Sequence, residues 1–177
     1  MRTLLRSLLY LALIVWLGAE IFFPIVAAVT FTRLMPDTHL AGAIVGTLLR
    51  VLHGMGLVSG LVAMAALALA PALRIYLPRA VLLPMALLLA MIGCTVYSQF
   101  GILPAMERDR IAAGGAIDTA DTANPNVTDF NRLHNRSESV EEAIDLMGLL
   151  TVILVAWAES HRTTLAAPLA SEPMPSR

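Results

Sequence analysis

Four apolar segments dominate the hydropathy pattern of the chain. Residues 8–32 contain one charged residue, Glu20, and residues 51–73 contain one ionisable side chain, His53. Residues 80–106 contain no acid, base or histidine, and residues 146–158 form a shorter apolar segment. A helix of about 20 apolar residues crosses the hydrocarbon layer of a bilayer. The pattern therefore predicts an all-α integral membrane bundle of four transmembrane helices, spanning residues 7–32, 40–73, 79–103 and 140–159.

The segments between and after these spans are polar. Residues 107–142 are rich in acids and contain a Gly/Ala/Asp/Thr/Asn stretch, which is typical of a loop. We therefore expect one four-span domain over residues 1–160, with an acidic loop at 107–142. The Pro/Ala/Ser-rich tail, 161–177, is predicted to be disordered.

Composition limits the function classes. The chain is 58% hydrophobic and 14% charged, which leaves too little polar sequence for a separate soluble domain. A net charge of −1 gives no electrostatic reason to expect nucleic acid as a partner. The single cysteine, Cys94, excludes an intrachain disulfide and a cysteine-cluster metal site. The expected partners are the lipid bilayer, a metal ion or small ligand, and a second copy or another membrane protein.

The N-terminal segment resembles a signal peptide, because two arginines precede an apolar stretch. No small-x-small cleavage site follows cleanly, and the apolar character resumes after Glu20 and continues to Phe31. We therefore expect an uncleaved first helix. Arginines on the two sides nearly balance, and the short segments carrying Arg2, Arg74 and Arg79 favour both termini in the cytoplasm. The predicted location is a bacterial inner membrane.

Span 2 carries a stripe of small residues. Along it, Gly42, Gly46, Leu49, His53, Gly56 and Gly60 recur at intervals of three and four, which aligns them on one helix face. Paired small residues let a neighbouring helix approach closely. His53 is therefore predicted to face protein, whereas Arg50 on the flank either reaches the interface or forms an ion pair.

Glu20 is an acid near the middle of span 1. Such a residue is costly in hydrocarbon unless it has a partner or is neutral. Pro24 follows one turn later and lacks the N–H group that would bind the Glu20 carbonyl, so a kink is expected there. Two interpretations remain open. Glu20 either bonds to Arg50, His53 or Gln99 for helix association alone, or it has a proton, ion or ligand role.

Polar residues also lead into span 4. On a continuous helix, His134, Ser137, Glu141 and Asp145 lie on one stripe. A capping box at Ser139 would instead start the helix after His134. We prefer a helix from about Thr128, because Phe130 gives the earlier segment an apolar edge.

Because spans alternate in direction, the polar groups of spans 1, 2 and 4 gather in the leaflet half nearest the 107–142 loop. A polar pocket opening to that side is the predicted site. Its candidate residues are Glu20, Arg50, His53, Ser137, His134, Glu141 and Asp145.

Three functions fit these residues. A transport or ligand-handling accessory protein would use the pocket for a cation, proton or small ligand, with His53 and His134 as metal ligands. A redox protein would hold haem between the same two histidines. An interaction module would use the buried polar residues for packing alone. Nothing in the sequence matches the usual soluble-enzyme motifs, so an enzyme is disfavoured and no cofactor is assigned.

Several short motifs resemble an uncharacterised membrane family. They are Trp16-Leu17-Gly18, Phe31 with Met35-Pro36, Arg50 to His53, Pro104-Ala105-Met106 and Phe130-x-x-x-His134-x-x-Ser137. The chain resembles a four-helix domain-of-unknown-function family (DUF4149-like), which joins bacterial proteins to a eukaryotic transmembrane protein associated with platinum-drug resistance. The resemblance implies a four-span bundle of unknown activity. The family pattern commonly has Asn at the position of Glu141, and Glu20 is not a hallmark, so it assigns no role to either acid.

Overall fold

A computed structural model describes the backbone of residues 1–165 and the side chains of residues 1–160. This part of the chain is helical. Its elements are α1 (Arg2–Leu34), α2 (Thr38–Leu69), α3 (Pro78–Tyr97), a π-helical segment (Ser98–Ile102), α4 (Leu103–Ala112), a 3₁₀ turn (Ile117–Thr119) and α5 (Pro125–Leu165). The π-helical segment joins α3 to α4 without a break. Four helical units are therefore long and apolar enough to span a membrane, which confirms the all-α, four-span prediction.

The helices pack as an antiparallel ring. α1 lies beside α2, α2 beside α3, α3 beside α5, and α5 beside α1. The Nη2 atom of Arg6 lies 3.2 Å from Oε1 of Glu159, so α1 begins where α5 ends. We call this end of the bundle, with the 70–77 connection, the terminal side. The other end, with the 35–37 and 113–124 connections, is the loop side.

The interior of the bundle is filled by apolar side chains over much of its length. Leu13, Trp16, Leu67, Leu88 and Ile144 are each at most 2% exposed. Large apolar residues also cover the outer surface, among them Ile14, Phe22, Leu61, Leu82, Leu89 and Ile153. An outer surface of this kind is stable in lipid, because hydrocarbon tails replace the water that would otherwise contact it.

The predicted and observed boundaries differ on the loop side. α4 continues to Ala112 and α5 already begins at Pro125, so the connection covers 113–124 instead of 107–142. His134 is therefore helical, and the alternative in which the helix starts after it is wrong. α1 continues through Pro24 as one helix. α5 continues to Leu165, so the prediction of a disordered tail is wrong for residues 161–165, and the rest of the tail, 166–177, lies outside the described residues.

The π-helical segment was not predicted. Its wider turn is shown by the Leu103 N–H group, which donates to the Ser98 carbonyl five residues earlier. Pro104 follows at once and has no N–H to offer the preceding turn, so an ordinary α-helical ladder is already interrupted there. Such single turns are frequent at functional sites. Here the segment carries two buried or partly buried polar residues, Ser98 and Gln99.

Candidate functional site

His53 is the centre of a polar network inside the bundle. Its side chain is fully buried on α2. Nδ1 lies 2.9 Å from Oε1 of Gln99, and Nε2 lies 2.9 Å from Oε1 of Glu141. A carboxylate only accepts, so Nε2 donates to Glu141. This single imidazole therefore connects α2 to the π-helical segment and to α5.

Glu141 has one satisfied and one unsatisfied oxygen. Oε1 also accepts a hydrogen bond from the Ser98 hydroxyl, at 3.0 Å. Oε2 is buried and has no hydrogen-bond partner among the described residues. Asp145, one turn further along α5, has a buried Oδ1 atom in the same situation. Residues four apart on a helix are neighbours, so two bare carboxylate oxygens face the same part of the interior.

Glu20 joins this network from α1. Its side chain is 3% exposed, and Oε1 accepts a hydrogen bond from the indole Nε1 of Trp16, at 3.0 Å. The charge of Glu20 interacts with those of Glu141, His53 and Asp145. Three acids and one imidazole thus share one buried region. We call this set, with Trp16, Ser98 and Gln99, the His53 cluster.

Glycines on α2 hold Trp16 in place. A Cβ atom on Gly56 would lie 2.6 Å from Nε1 of Trp16, and one on Gly60 would lie 2.6 Å from the indole six-membered ring. Only a residue without a side chain leaves room for the indole at these two positions. The prediction that the glycine stripe allows close approach of a neighbouring helix is therefore confirmed for Gly56 and Gly60. Gly42 and Gly46 make no close approach, since no atom lies nearer than 4.0 Å to the Cβ position of either.

The structure brings Glu20 to His53 without Arg50, and it gives Glu20 a hydrogen-bond partner that was not considered. Arg50 is exposed and does not join Glu20 and His53 in a buried cluster. Its charge instead interacts with the charge of Glu107 on α4. The carboxylate of Glu20 takes Trp16 as its hydrogen-bond partner, on its own helix, and not Arg50, His53 or Gln99.

His134 is not brought to His53. It lies on the surface of α5, where it pairs with Glu138 at 3.3 Å and stacks on Phe130 with a centroid separation of 6.2 Å. Ser137 is buried, at 5% exposure. Both ring nitrogens of His53 are already engaged. Within residues 1–160, no three His, Cys, Asp or Glu side chains are arranged to hold a metal ion. The proposed pair of histidine ligands is therefore separated.

Two surface grooves lie away from this network, one of about 230 Å³ on the terminal side and one of about 300 Å³ beside Ile44 and Thr47. Neither is lined by a member of the His53 cluster. What the structure brings together is a compact set of hydrogen-bonding groups.

Sequence reasoning missed Ser98 as a member, considered Gln99 only as a partner of Glu20, and used Trp16 only for the family resemblance. The available signal for the first two was a pair of adjacent polar residues in an otherwise apolar segment. For Trp16 the signal was its i, i+4 spacing to a buried acid.

A second polar cluster lies on the terminal side, away from the predicted pocket. It contains the Arg6–Glu159 ion pair and the nearby Tyr10 and Tyr76. Tyr76 belongs to the 70–77 connection and is 6% exposed. Burial, and then its neighbours Glu159 and Tyr10, raise the pKa of the Tyr76 phenol.

The fold and the buried polar network define a four-helix integral membrane protein. The model of a protein family described as a domain of unknown function (DUF4149) matches residues 11–111, and the chain belongs to that family. The match covers most of α1 and all of α2 to the end of α4 except Ala112, so it includes Glu20, His53 and Gln99 but neither Glu141 nor Asp145. No curated protein and no solved structure matches the chain.

Proposed function

We propose that the protein is a transport or ligand-handling accessory of the membrane, and that the His53 cluster binds a proton or another small cation from the loop side. The observation that carries this proposal is the pair of buried, unpartnered oxygens on Glu141 and Asp145, next to an imidazole with both nitrogens engaged.

Charge supports the proposal first. If Glu20, Glu141 and Asp145 are all ionised, even a protonated His53 leaves the cluster with excess negative charge. Uncompensated charge inside a membrane bundle costs several kcal/mol by most measures. A proton or a small cation on the bare oxygens lowers that cost, because it supplies positive charge and bonds that the protein does not.

Depth supports access from the loop side. We place the terminal boundary of the hydrocarbon layer at the Arg6–Glu159 ion pair, because charged groups are costly within hydrocarbon. With a helix rise of 1.5 Å per residue, Glu20 lies about 21 Å from Arg6 and Glu141 about 27 Å from Glu159. The hydrocarbon layer is about 30 Å thick. The cluster therefore belongs to the half nearest the loop side, and the Glu141 side chain is 18% exposed.

The shape of the bundle interior supports a small ligand and a site that is closed towards the terminal side. Towards the terminal side the interior is closed by Leu13, Leu67, Leu88 and Val155, all at most 2% exposed. The cluster itself borders neither surface groove. A proton or a bare cation fits between hydrogen-bonded side chains, whereas a drug-sized ligand needs a cavity of several hundred Å³.

Infrared spectroscopy of the full chain in nanodiscs tests the proposal, because it detects the C=O band of a carboxylic acid directly. The spectrum is recorded at neutral pH, where solvent-exposed carboxylates are ionised and give no such band, in sodium chloride and in choline chloride. The wild type is expected to show the band, and Glu141→Gln and Asp145→Asn are expected each to reduce it. Glu142→Gln is the matched control, because Glu142 is the exposed neighbour of Glu141.

The outcomes separate the alternatives. Competition by sodium but not choline would identify a metal cation as a second ligand of the same oxygens. Identical spectra for Glu141→Gln, Glu142→Gln and wild type would refute the proposal and favour the packing-module interpretation. Metal analysis and a visible spectrum of the same samples, with His134→Ala beside wild type, test the histidine-ligand and haem interpretations independently.

We further propose that the protein lies in a bacterial inner membrane with both termini in the cytoplasm. The arginines of the terminal side support this orientation, since basic residues near the ends of transmembrane helices favour the cytoplasmic side.

A further inference from the structure

An apolar groove of about 230 Å³ lies at the rim of the bundle on the terminal side. It is formed by the first turns of α1 and by the end of α2 with the residues that follow it. Its side chains are apolar and include Leu4, Leu5, Leu8, Leu69, Ala72 and Leu73. Leu4 is 62% exposed and Leu69 is 53% exposed, so the groove opens outward from the bundle.

This position limits what occupies the groove. It opens on the apolar outer surface of a transmembrane bundle, at the depth where the acyl chains of phospholipids meet their headgroups. An apolar cavity gives water no hydrogen-bond partners. A hydrocarbon chain, in contrast, fills such a groove with dispersion contacts along its whole length.

The rim of the groove is basic. Arg74 directly follows the lining residue Leu73, and Arg2 lies in the first turn of α1 between the lining residues Met1 and Leu4. Both arginines are exposed, and neither takes part in an ion pair within the described side chains. Glu159, the acid of this side among those side chains, is bound to Arg6. An anionic group therefore meets uncompensated positive charge here.

The backbone fixes Arg74 beside the groove. Its N–H group donates to the carbonyl of Pro71 at 2.9 Å, and the next N–H, of Ile75, donates to the carbonyl of Ala70 at 2.8 Å. Arg74 itself has a φ of 53°, a left-handed conformation uncommon in a residue with a side chain. This tight turn therefore places Arg74 directly after Leu73, an apolar residue that lines the groove.

We propose that this groove binds one phospholipid with an anionic headgroup. One acyl chain lies along Leu4, Leu8, Leu69 and Leu73, and the phosphate lies between Arg2 and Arg74. Guanidinium groups suit phosphate because two N–H donors match two phosphate oxygens. The proposal is independent of the His53 cluster, which lies at the other end of the bundle interior.

Native mass spectrometry of the full chain in detergent tests the proposal, with phosphatidylglycerol and phosphatidylcholine of equal chain length as probes. We expect phosphatidylglycerol to bind more tightly. Removing one arginine near an anionic lipid surface lowers the affinity for that lipid about fivefold. Arg74→Gln should therefore weaken phosphatidylglycerol binding about fivefold, with little effect on phosphatidylcholine. Arg33→Gln, an exposed arginine on the loop side, is the matched control.

Two further experiments test the acyl chain and the phosphate of the lipid separately. Ala72→Trp should fill the groove and weaken both lipids, and Leu4→Gln provides a second groove variant at a largely exposed position. Glycerol phosphate, which has the charge without the chain, should not compete. Equal affinity for the two lipids, equal losses in Arg74→Gln and Arg33→Gln, or full competition by glycerol phosphate would each overturn the proposal.

Discussion

Nε2 of His53 and Oε1 of Glu141 lie 2.9 Å apart although 88 residues separate them in the chain. This hydrogen bond joins α2, inside the family match, to α5, outside it. It also gives the buried imidazole an acidic side chain as a partner. The geometry of the whole cluster depends on this pair, because Ser98 and Gln99 each bond to one of its two members.

The first prediction concerns the coupling between these two residues. Removing one partner leaves a buried polar group without its bond, whereas removing both takes away the donor and the acceptor of that bond together. His53→Leu and Glu141→Leu should therefore destabilise less in combination than the sum of their separate effects. Hydrogen bonds measured this way inside membrane bundles average about 0.6 kcal/mol and reach about 1.7. Unfolding in mixed micelles, with all three variants and wild type, measures the coupling.

Combining His53→Leu with Glu142→Leu provides the control, because Glu142 is exposed and next to Glu141. Those two changes should be additive. If His53→Leu and Glu141→Leu are additive as well, the contact contributes nothing to stability.

The second prediction concerns the glycines under Trp16. In Gly56→Ala, the new Cβ would lie 2.6 Å from the indole nitrogen, so Trp16 has to move away from its bond to Glu20. Overpacking of this kind typically costs about 1–3 kcal/mol. We expect a lower unfolding midpoint and altered Trp16 fluorescence, which is read in a Trp157→Phe background because the chain has two tryptophans.

Gly54→Ala tests the specificity of that effect. No atom lies within 4 Å of its Cβ position, on the same helix and two residues away. It should be neutral or stabilising, because alanine is the better helix former. A loss in Gly54→Ala equal to that in Gly56→Ala would show that flexibility of α2, and not room for the indole, explains the requirement for glycine.

Much of the fold could be predicted from charge and hydropathy. Four segments that are nearly free of charges are enough to place the helices, because hydrocarbon penalises every unpaired charge in a span. The same rule made Glu20 and His53 stand out as residues that need partners. The three/four spacing correctly placed His53 and Gly56 inside, since helical periodicity is a local property.

The partners themselves could not be predicted, since they depend on helix rotation and on contacts distant in sequence. One of the two open interpretations gave Glu20 a partner on another helix, but its hydrogen-bond partner is Trp16, four residues earlier on the same helix. Gln99 reaches His53 from a segment that leaves the α-helical repeat. Any stripe drawn at 3.6 residues per turn fails across such a segment. Arg50 is exposed because a long side chain next to an interface reaches water easily.

The third prediction is a pH dependence that arises from Tyr76. Burial raises the pKa of its phenol above the value of about 10 that holds in the unfolded chain. Between the two pKa values the unfolded state releases the proton and the folded state keeps it. Stability is therefore unaffected below pH 10 and falls as pH rises above it. Unfolding midpoints measured over this range should fall less steeply in Tyr76→Phe than in wild type. Equal slopes would contradict a buried phenol.

The fourth prediction is the orientation of the bundle. Exposed arginines without an ion pair to another described side chain lie on both sides, Arg2, Arg74 and Arg79 on the terminal side and Arg33 and Arg108, among others, on the loop side. We base the orientation on the terminal-side arginines, because they lie in short segments next to helix ends, where the positive-inside rule applies. The cytoplasmic leaflet carries a negative surface potential, which attracts unpaired basic residues.

A fluorescent protein fused at the C-terminus should therefore fold and emit in a bacterial host. Alkaline phosphatase inserted between Gly114 and Gly115, in the loop-side connection, should be active, because that enzyme requires the oxidising exterior of the inner membrane. The opposite pair of results would show that the loop side, and with it the entrance to the His53 cluster, faces the cytoplasm.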